Sequence, residues 1–369
     1  MTVATDTLAH RVERAQQLME EEGIDLLMIG PSSDFRYLTG HAAHTSERLT
    51  ALLLPWRGRG MIVVPRLEAP LIQDLADRFE LVIWDETDSP TARVAEVARD
   101  THAESVAVND QLWSGFLLRL QKQLPTASYE NGTDILSRLR AIKDETELAL
   151  LREASRRTDE AWEDFCAHET VIGKTERQVG DRLKAVMAKH GMPEIAFCIV
   201  ASGPNSASPH HYLSDRVIQA GDPIVFDFGG IHEGYFSDIT RTPIAGEPSD
   251  EIVKVYNIVR QAQQAAFEAI KPGVACQEVD RAARKVITEA GYGEYFIHRL
   301  GHGIGLTGHE DPYLVEGNET PMEAGMVFSD EPGIYMAGKF GIRIEDTVVV
   351  TPTGAERYNH VTRDIVTLG

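Results

Sequence analysis

The chain has 369 residues, 43% of them hydrophobic and 25% charged, a composition of soluble globular proteins and a length that calls for two domains. A formal charge of -21 at pH 7 excludes a nucleic-acid backbone as the main partner, because phosphate recognition needs a basic footprint. Cys166, Cys198 and Cys276 have no C-x-x-C spacing, which excludes a thiolate metal cage and a disulfide framework and makes a reducing cytoplasm the expected compartment. The first residues contain no apolar signal core and no stretch reaches eighteen uncharged apolar residues, so neither secretion nor a membrane span is expected.

In chain order, short apolar runs first alternate with helical patterns. A helix over 9–22 leads to DLLMIG (25–30), TALLLP (50–55) and MIVVP (61–65) as strands. A helix over 66–78, the strand LVIW (81–84), a helix over 90–100, the strand SVAVND (105–110) and a helix over 111–123 follow. This is an α/β domain of at least five strands, with LPTASYENGTD (124–134) as its exit loop and the division placed at 130/131. A long amphipathic helix is expected from Asp144, with Trp162 and Phe165 in its core-facing stripe.

The second part, 131–369, repeats itself. GKTERQVGDRLKAVMAKHG (173–191) lies over GVACQEVDRAARKVITEAG (273–291), pairing Gly173 with Gly273, Val179 with Val279 and Gly191 with Gly291. Thr175 and Gln178 form a capping-box pattern in the first copy. AGDPIVFDFGG (220–230) resembles AGMVFSDEPG (324–333), and YFSDIT (235–240) resembles IRIEDT (342–347). A duplicated α+β domain with pseudo-twofold symmetry follows, its strand pairs facing each other across the axis.

That arrangement sets Asp227 and Asp238 opposite Glu331 and Glu345. Four crowded carboxylates repel and raise one another's pKa unless cations lie between them, and two divalent ions balance the charge. The strand period places Asp238 with Thr240, and Arg343 with Glu345 and Thr347, on shared faces, where the arginine and threonines can orient the carboxylates. His302, between Gly301 and Gly303, projects from a loop that permits close backbone approach and is the fifth candidate ligand. One imidazole with four carboxylates suits a hard ion such as Mn²⁺, with Co²⁺ or Zn²⁺ as alternatives. Hydrolysis is the natural chemistry, with a bridging hydroxide as nucleophile and Glu331 as its general base.

SGPNSASPHHYLSD (202–215), VFDFGGIHEGYFSDITRT (225–242), GHGIGLTGHEDP (301–312), DEPGIY (330–335) and GIRIEDT (341–347) together resemble the pita-bread (creatinase/prolidase-type) metallopeptidases, in the Xaa-Pro dipeptidase and aminopeptidase P branch. SSDFRYLTG (32–40) is similar to a segment of the creatinase-type N-terminal domain. The resemblance implies that Asp227 binds one metal, that Asp238 and Glu345 bridge two, and that His302 and Glu331 bind the other. It also implies catalytic roles for His210 and His309 at the substrate, beside Glu331 and Arg343, while His211 is expected to be a solvated loop residue. Asp330 stands where an apolar residue is more usual.

The implied substrates are small peptides with a bond preceding proline, a tertiary amide that general peptidases handle poorly. A dipeptidase is the first reading and an aminopeptidase P acting on longer peptides the second. What separates them is a charge that meets the product carboxylate, for which Arg36, Arg48 and His44 are candidates. A lyase or other hydrolase of the same fold and a non-catalytic binding module compete, but the intact ligand set argues against both. By fold analogy a homodimer is expected.

Overall fold

The computed structural model describes residues 4–369, and the chain forms two compact units, Met1–Arg140 and Ala141–Gly369. The first contains helices α1 (Thr5–Glu22), α2 (Ser33–Thr39), α3 (Pro90–Asp100), α4 (Ser114–Gln123) and α5 (Thr133–Ala141). Its strands are β1 (Leu26–Ile29), β2 (Ala51–Pro55), β3 (Met61–Pro65), β4 (Glu80–Trp84), β5 (Ser105–Val108) and β6 (Ser128–Asn131). They form one mixed sheet in the order β4-β3-β2-β1-β5-β6. Leu26, Met28, Leu53, Val63 and Val106 are fully buried in its core, each contributing about 1.5–3 kcal/mol by leaving water.

The expected exit loop is instead the edge strand β6, parallel to β5, followed by α5. Ser128-Tyr129-Glu130-Asn131 is mostly exposed, so it carries no hydrophobic period by which to read it as a strand. The unit therefore closes at Arg140 rather than at residue 130. Its last turn is anchored by a buried ion pair between Arg140 and Asp34, 2.6 Å apart, within the SSDFRYLTG segment.

The second unit opens with α6 (Glu145–His168) and α7 (Glu176–Lys189), then β7 (Glu194–Ser202), β8 (Ile224–His232), β9 (Tyr235–Phe236), β10 (Ile239–Arg241) and β11 (Ile244–Ala245). It continues with α8 (Asp250–Ala269), α9 (Cys276–Glu289), β12 (Gly301–Gly303), β13 (Glu310–Leu314) and β14 (Val327–Asp330). Strands β15 (Gly333–Met336), β16 (Phe340–Arg343), β17 (Asp346–Thr351), β18 (Gly354–Arg357) and β19 (Thr367–Leu368) complete it. Asp144 starts α6 with a full capping box, as Thr175 and Gln178 do for α7.

The repeat is visible in the backbone. α7 and α9 begin 100 residues apart, and the glycines flanking them match in conformation, with φ of 81° at Gly173 against 85° at Gly273, and 79° at Gly191 against 86° at Gly291. One sheet runs β10-β8-β7 and the other β13-β12-β14-β17-β18. The halves meet where Thr240 and Glu345 form an antiparallel bridge. Behind the first sheet Trp162 stacks on Phe165 at 5.8 Å and meets Phe226 edge-on at 5.1 Å, so both aromatics are core residues. Among the described residues no helix is long and apolar enough to cross a membrane.

Candidate active site

Asp227, Asp238, His302, Glu331 and Glu345 all line a single cavity of about 1120 Å³ within the second unit. Asp227 comes from the middle of β8, Asp238 from the step between β9 and β10, Glu331 from the end of β14 and Glu345 from the turn between β16 and β17. His302 is the central residue of β12. A Cβ at Gly301 would lie 1.9 Å from the Ser329 carbonyl oxygen and one at Gly303 2.3 Å from that of Asp311, so only glycine on either side lets the strand carry His302 this deep.

The donor atoms converge. Ligand atoms of Asp238, His302 and Glu345 lie within 4.8 Å of one another, and all three residues are buried. His302 Nε2 is 3.6 Å from Asp238 Oδ2 and 3.4 Å from Glu331 Oε1. Its Nδ1 lies 3.1 Å from the Gly303 carbonyl, the contact that leaves an Nε2 lone pair facing the carboxylates. Burial, with the neighbouring His309, lowers the His302 pKa to about 3, so the ring is neutral.

The carboxylates are shifted the other way. Burial pushes Glu331 up to about 7, with Asp227 adding to the rise and Arg343 opposing it. Burial also raises Asp238 well above the usual range, helped by the charges of Asp227 and Glu331, raises Glu345 likewise with the help of Asp238, and raises Asp227 against the pull of Arg343. Asp227 Oδ1 and Asp238 Oδ1 are buried with no hydrogen-bond partner. Orphaned carboxylate oxygens, a neutral imidazole aimed at them and an oxygen-rich donor set together fit a hard divalent cation.

Neighbouring side chains hold this set in place. Thr240 Oγ1 donates to Glu345 Oε2 at 2.5 Å and accepts from Arg343 Nε at 3.0 Å. Arg343 also donates to Asp227 Oδ2 at 2.5 Å and to the Tyr335 hydroxyl at 2.9 Å. Thr347, expected to steer a carboxylate, instead donates to the main-chain carbonyl of Asp238 at 3.0 Å. Ser329 was not singled out by the sequence, yet its hydroxyl accepts from the His302 amide and donates to Glu331 Oε1, both at 3.0 Å. Its two-residue offset from Glu331 on a strand was the available signal.

His309 packs against His302 with ring centroids 3.9 Å apart, while His210 lines the same cavity from the loop after β7; both rings reach solvent. His211 departs from the expectation of a solvated loop residue. Its Nε2 lies 2.9 Å from Glu176 Oε2, on a fully buried carboxylate that also accepts from Ser202, Asn205 and Ser214. Glu176 thus pins the loop that carries His210, a contact 35 residues away in sequence and invisible to local patterning.

Asp330 lies on the opposite face of β14 from Glu331, as the pleat requires, and pairs in register with Asp346. Both Asp330 oxygens are buried without a partner, and burial plus the Asp346 charge raises its pKa well above the usual range. Cys198 also lines the cavity, but burial pushes its thiol up to about 12 and keeps it protonated.

Comparison with known proteins identifies the family. The sequence profile of metallopeptidase family M24 matches residues 149–352, and that of the creatinase/prolidase N-terminal domain matches residues 11–142. The chain belongs to metallopeptidase family M24. Among relatives of this M24 chain, the probable dipeptidase PepE of Mycobacterium tuberculosis H37Rv is 42% identical over 365 residues, covering 98% of this chain and 96% of that one. An Xaa-Pro dipeptidase of Lactobacillus helveticus is 36% identical, covering 96% and 98% respectively. The crystal structure of dipeptidase PepE from Mycobacterium ulcerans superposes with a TM-score of 0.94 at 41% identity, over 100% of both chains. The fold is accordingly the two-domain creatinase and pita-bread architecture, and the chain is a metallopeptidase.

Proposed function

We propose that the chain is an Xaa-Pro dipeptidase that works with two divalent metal ions, Mn²⁺ foremost. The observation that carries this reading is the buried convergence of Asp238 and Glu345 on the neutral imidazole of His302, with Asp227 and Glu331 lining the same cavity and carboxylate oxygens left unpartnered. Asp227 would hold one ion, His302 and Glu331 the other, and Asp238 and Glu345 both. Bound there, such ions would polarise the scissile carbonyl and make water more acidic.

The chain's own groups then have distinct tasks. Glu331, whose carboxyl burial raises in the metal-free protein, takes a proton from the attacking water and delivers it to the departing proline nitrogen. Ser329 and His302 keep its carboxylate aimed. Arg343 and Thr240 fix Asp227 and Glu345, so little reorganisation accompanies the reaction. His210 and His309, at the open mouth, meet the carbonyl oxygen or carboxylate of the substrate and pass protons to solvent.

Chelator-stripped protein is expected to cut an Xaa-Pro dipeptide only after Mn²⁺ is restored and to leave an Xaa-Pro-Xaa tripeptide intact. Cleavage of the tripeptide would move the reading to an aminopeptidase, and failure on both with metal bound would remove proline peptides from consideration. Replacing His309 by Ala is expected to lower turnover about 100-fold, the scale of a lost proton-transfer group, while bound metal measured by elemental analysis stays unchanged. An unchanged rate would rule out a role for His309 in catalysis.

A further inference from the structure

The glycine-rich stretch GHGIGLTGHE (301–310) brings His302 and His309 to the cavity, and the loop between them is folded around a third side chain, that of Glu310. Glu310 opens β13, yet its carboxylate turns back into the loop, where Oε2 accepts from the Thr307 amide at 3.2 Å. Gly305 makes the room. A Cβ there would lie 2.5 Å from Glu310 Oε1 and 3.2 Å from Oε2, so the space a side chain would fill is given to the carboxylate. The loop is tied down at its start and middle as well: the Ile304 amide donates to the Val327 carbonyl at 3.1 Å, and the Gly305 carbonyl accepts from the Phe236 amide at 2.9 Å.

The other carboxylate oxygen reaches outside the loop. Lys143 Nζ donates to Glu310 Oε1 at 2.9 Å, from a lysine side chain with no solvent exposure to a glutamate side chain 9% exposed, across 167 residues of sequence. Lys143 stands on fixed backbone, since its amide donates to the Gly325 carbonyl at 3.0 Å and the adjacent Ile142 bridges to Met326. An ammonium withdrawn from water is costly unless paired, so this contact gives the carboxylate, and the loop wrapped around it, one strongly favoured place. His309 needs such support. Its ring is exposed, packs on the ring of His302 at 3.9 Å and makes no hydrogen bond among the described residues, so the backbone that carries it sets its position. Resting on the catalytic role given to His309 above, we infer that Glu310 is a positioning residue for the reaction: held by Lys143, its carboxylate fixes the loop that presents the His309 ring to the substrate. A displacement of about 1 Å in such a group costs up to about 100-fold in rate, which makes a contact outside the cavity matter to turnover.

The test is a double-mutant cycle on an Xaa-Pro dipeptide, with Mn²⁺-loaded wild type, Glu310→Gln, His309→Ala and the two combined. Glu310→Gln is expected to lower kcat about 10-fold, with the same division between kcat and KM as His309→Ala and with bound metal unchanged by elemental analysis. In the His309→Ala background the same change should alter kcat less than about 2-fold, because a residue that acts through His309 has nothing left to position. A purely structural contact would lower the melting temperature but leave kcat of the folded protein intact. Full kcat in Glu310→Gln, an equal loss in both backgrounds, or a loss of metal, which would shift its action to His302, would each overturn the assignment. Should Glu310→Gln fail to fold, the Lys143→Met/Glu310→Gln variant removes both charges, leaves neither buried alone and carries the same comparison. An unchanged rate in His309→Ala, or a wild-type protein that leaves the dipeptide intact, overturns the reading above, and this assignment with it.

Discussion

Replacing Asp238 by Asn is expected to strip metal from the protein and to lower Xaa-Pro dipeptide turnover by more than about 100-fold. Residues that only orient a metal's ligands cost about 10- to 100-fold when removed, so a group proposed to touch both ions should cost more. Asparagine keeps the shape of the side chain, but it removes the negative charge and one strong acceptor at a site where Oδ1 has no protein partner and Oδ2 lies 3.6 Å from His302. The variant should nonetheless fold. Burial already raises the Asp238 pKa well above the usual range, so the metal-free protein tolerates a neutral group at this position. Elemental analysis beside a peptidase assay checks this; full metal content together with full rate would refute the placement of Asp238 in the metal centre.

The second large effect concerns stability. Asp346 is fully buried one residue beyond Glu345, with Arg241 at 2.7 Å, Gln263 at 2.9 Å and Arg357 at 3.1 Å. Arg241 also donates to the Glu345 carbonyl at 2.6 Å and the Thr240 carbonyl at 2.9 Å, so this network grips the bridge where the halves of the repeat meet. Asp346→Ala leaves a buried guanidinium without its counter-ion and is expected to destabilise the second unit by about 3–5 kcal/mol. Urea unfolding followed by a probe in the second unit, such as Trp162, would read the loss directly. A change below about 1 kcal/mol would mean that the carbonyls around Arg241 suffice without the carboxylate.

Much of the site was legible before any coordinate. The duplication was readable because α7 and α9 repeat the same apolar period and flanking glycines at a fixed offset, and such periodicity is a local property. The five candidate ligands stood out because aspartate and glutamate are costly inside strands, so four of them in strand-like runs demanded a common cause. By contrast β6 and α5 were missed, since an exposed polar edge strand leaves no pattern. The environment of His211 was missed because its partner Glu176 lies on a different element.

The residue types, their order and the repeat that brings them face to face are thus properties of the sequence, since each follows from local period and from the energetic oddity of buried charge. Which atoms remain unpartnered is decided only by the tertiary structure. Thr240 meets Glu345 across 105 residues and Asp227 meets Arg343 across 116, and these contacts determine which donors are spent. A lack of partners is a property of everything packed around a group, which no stretch of sequence contains.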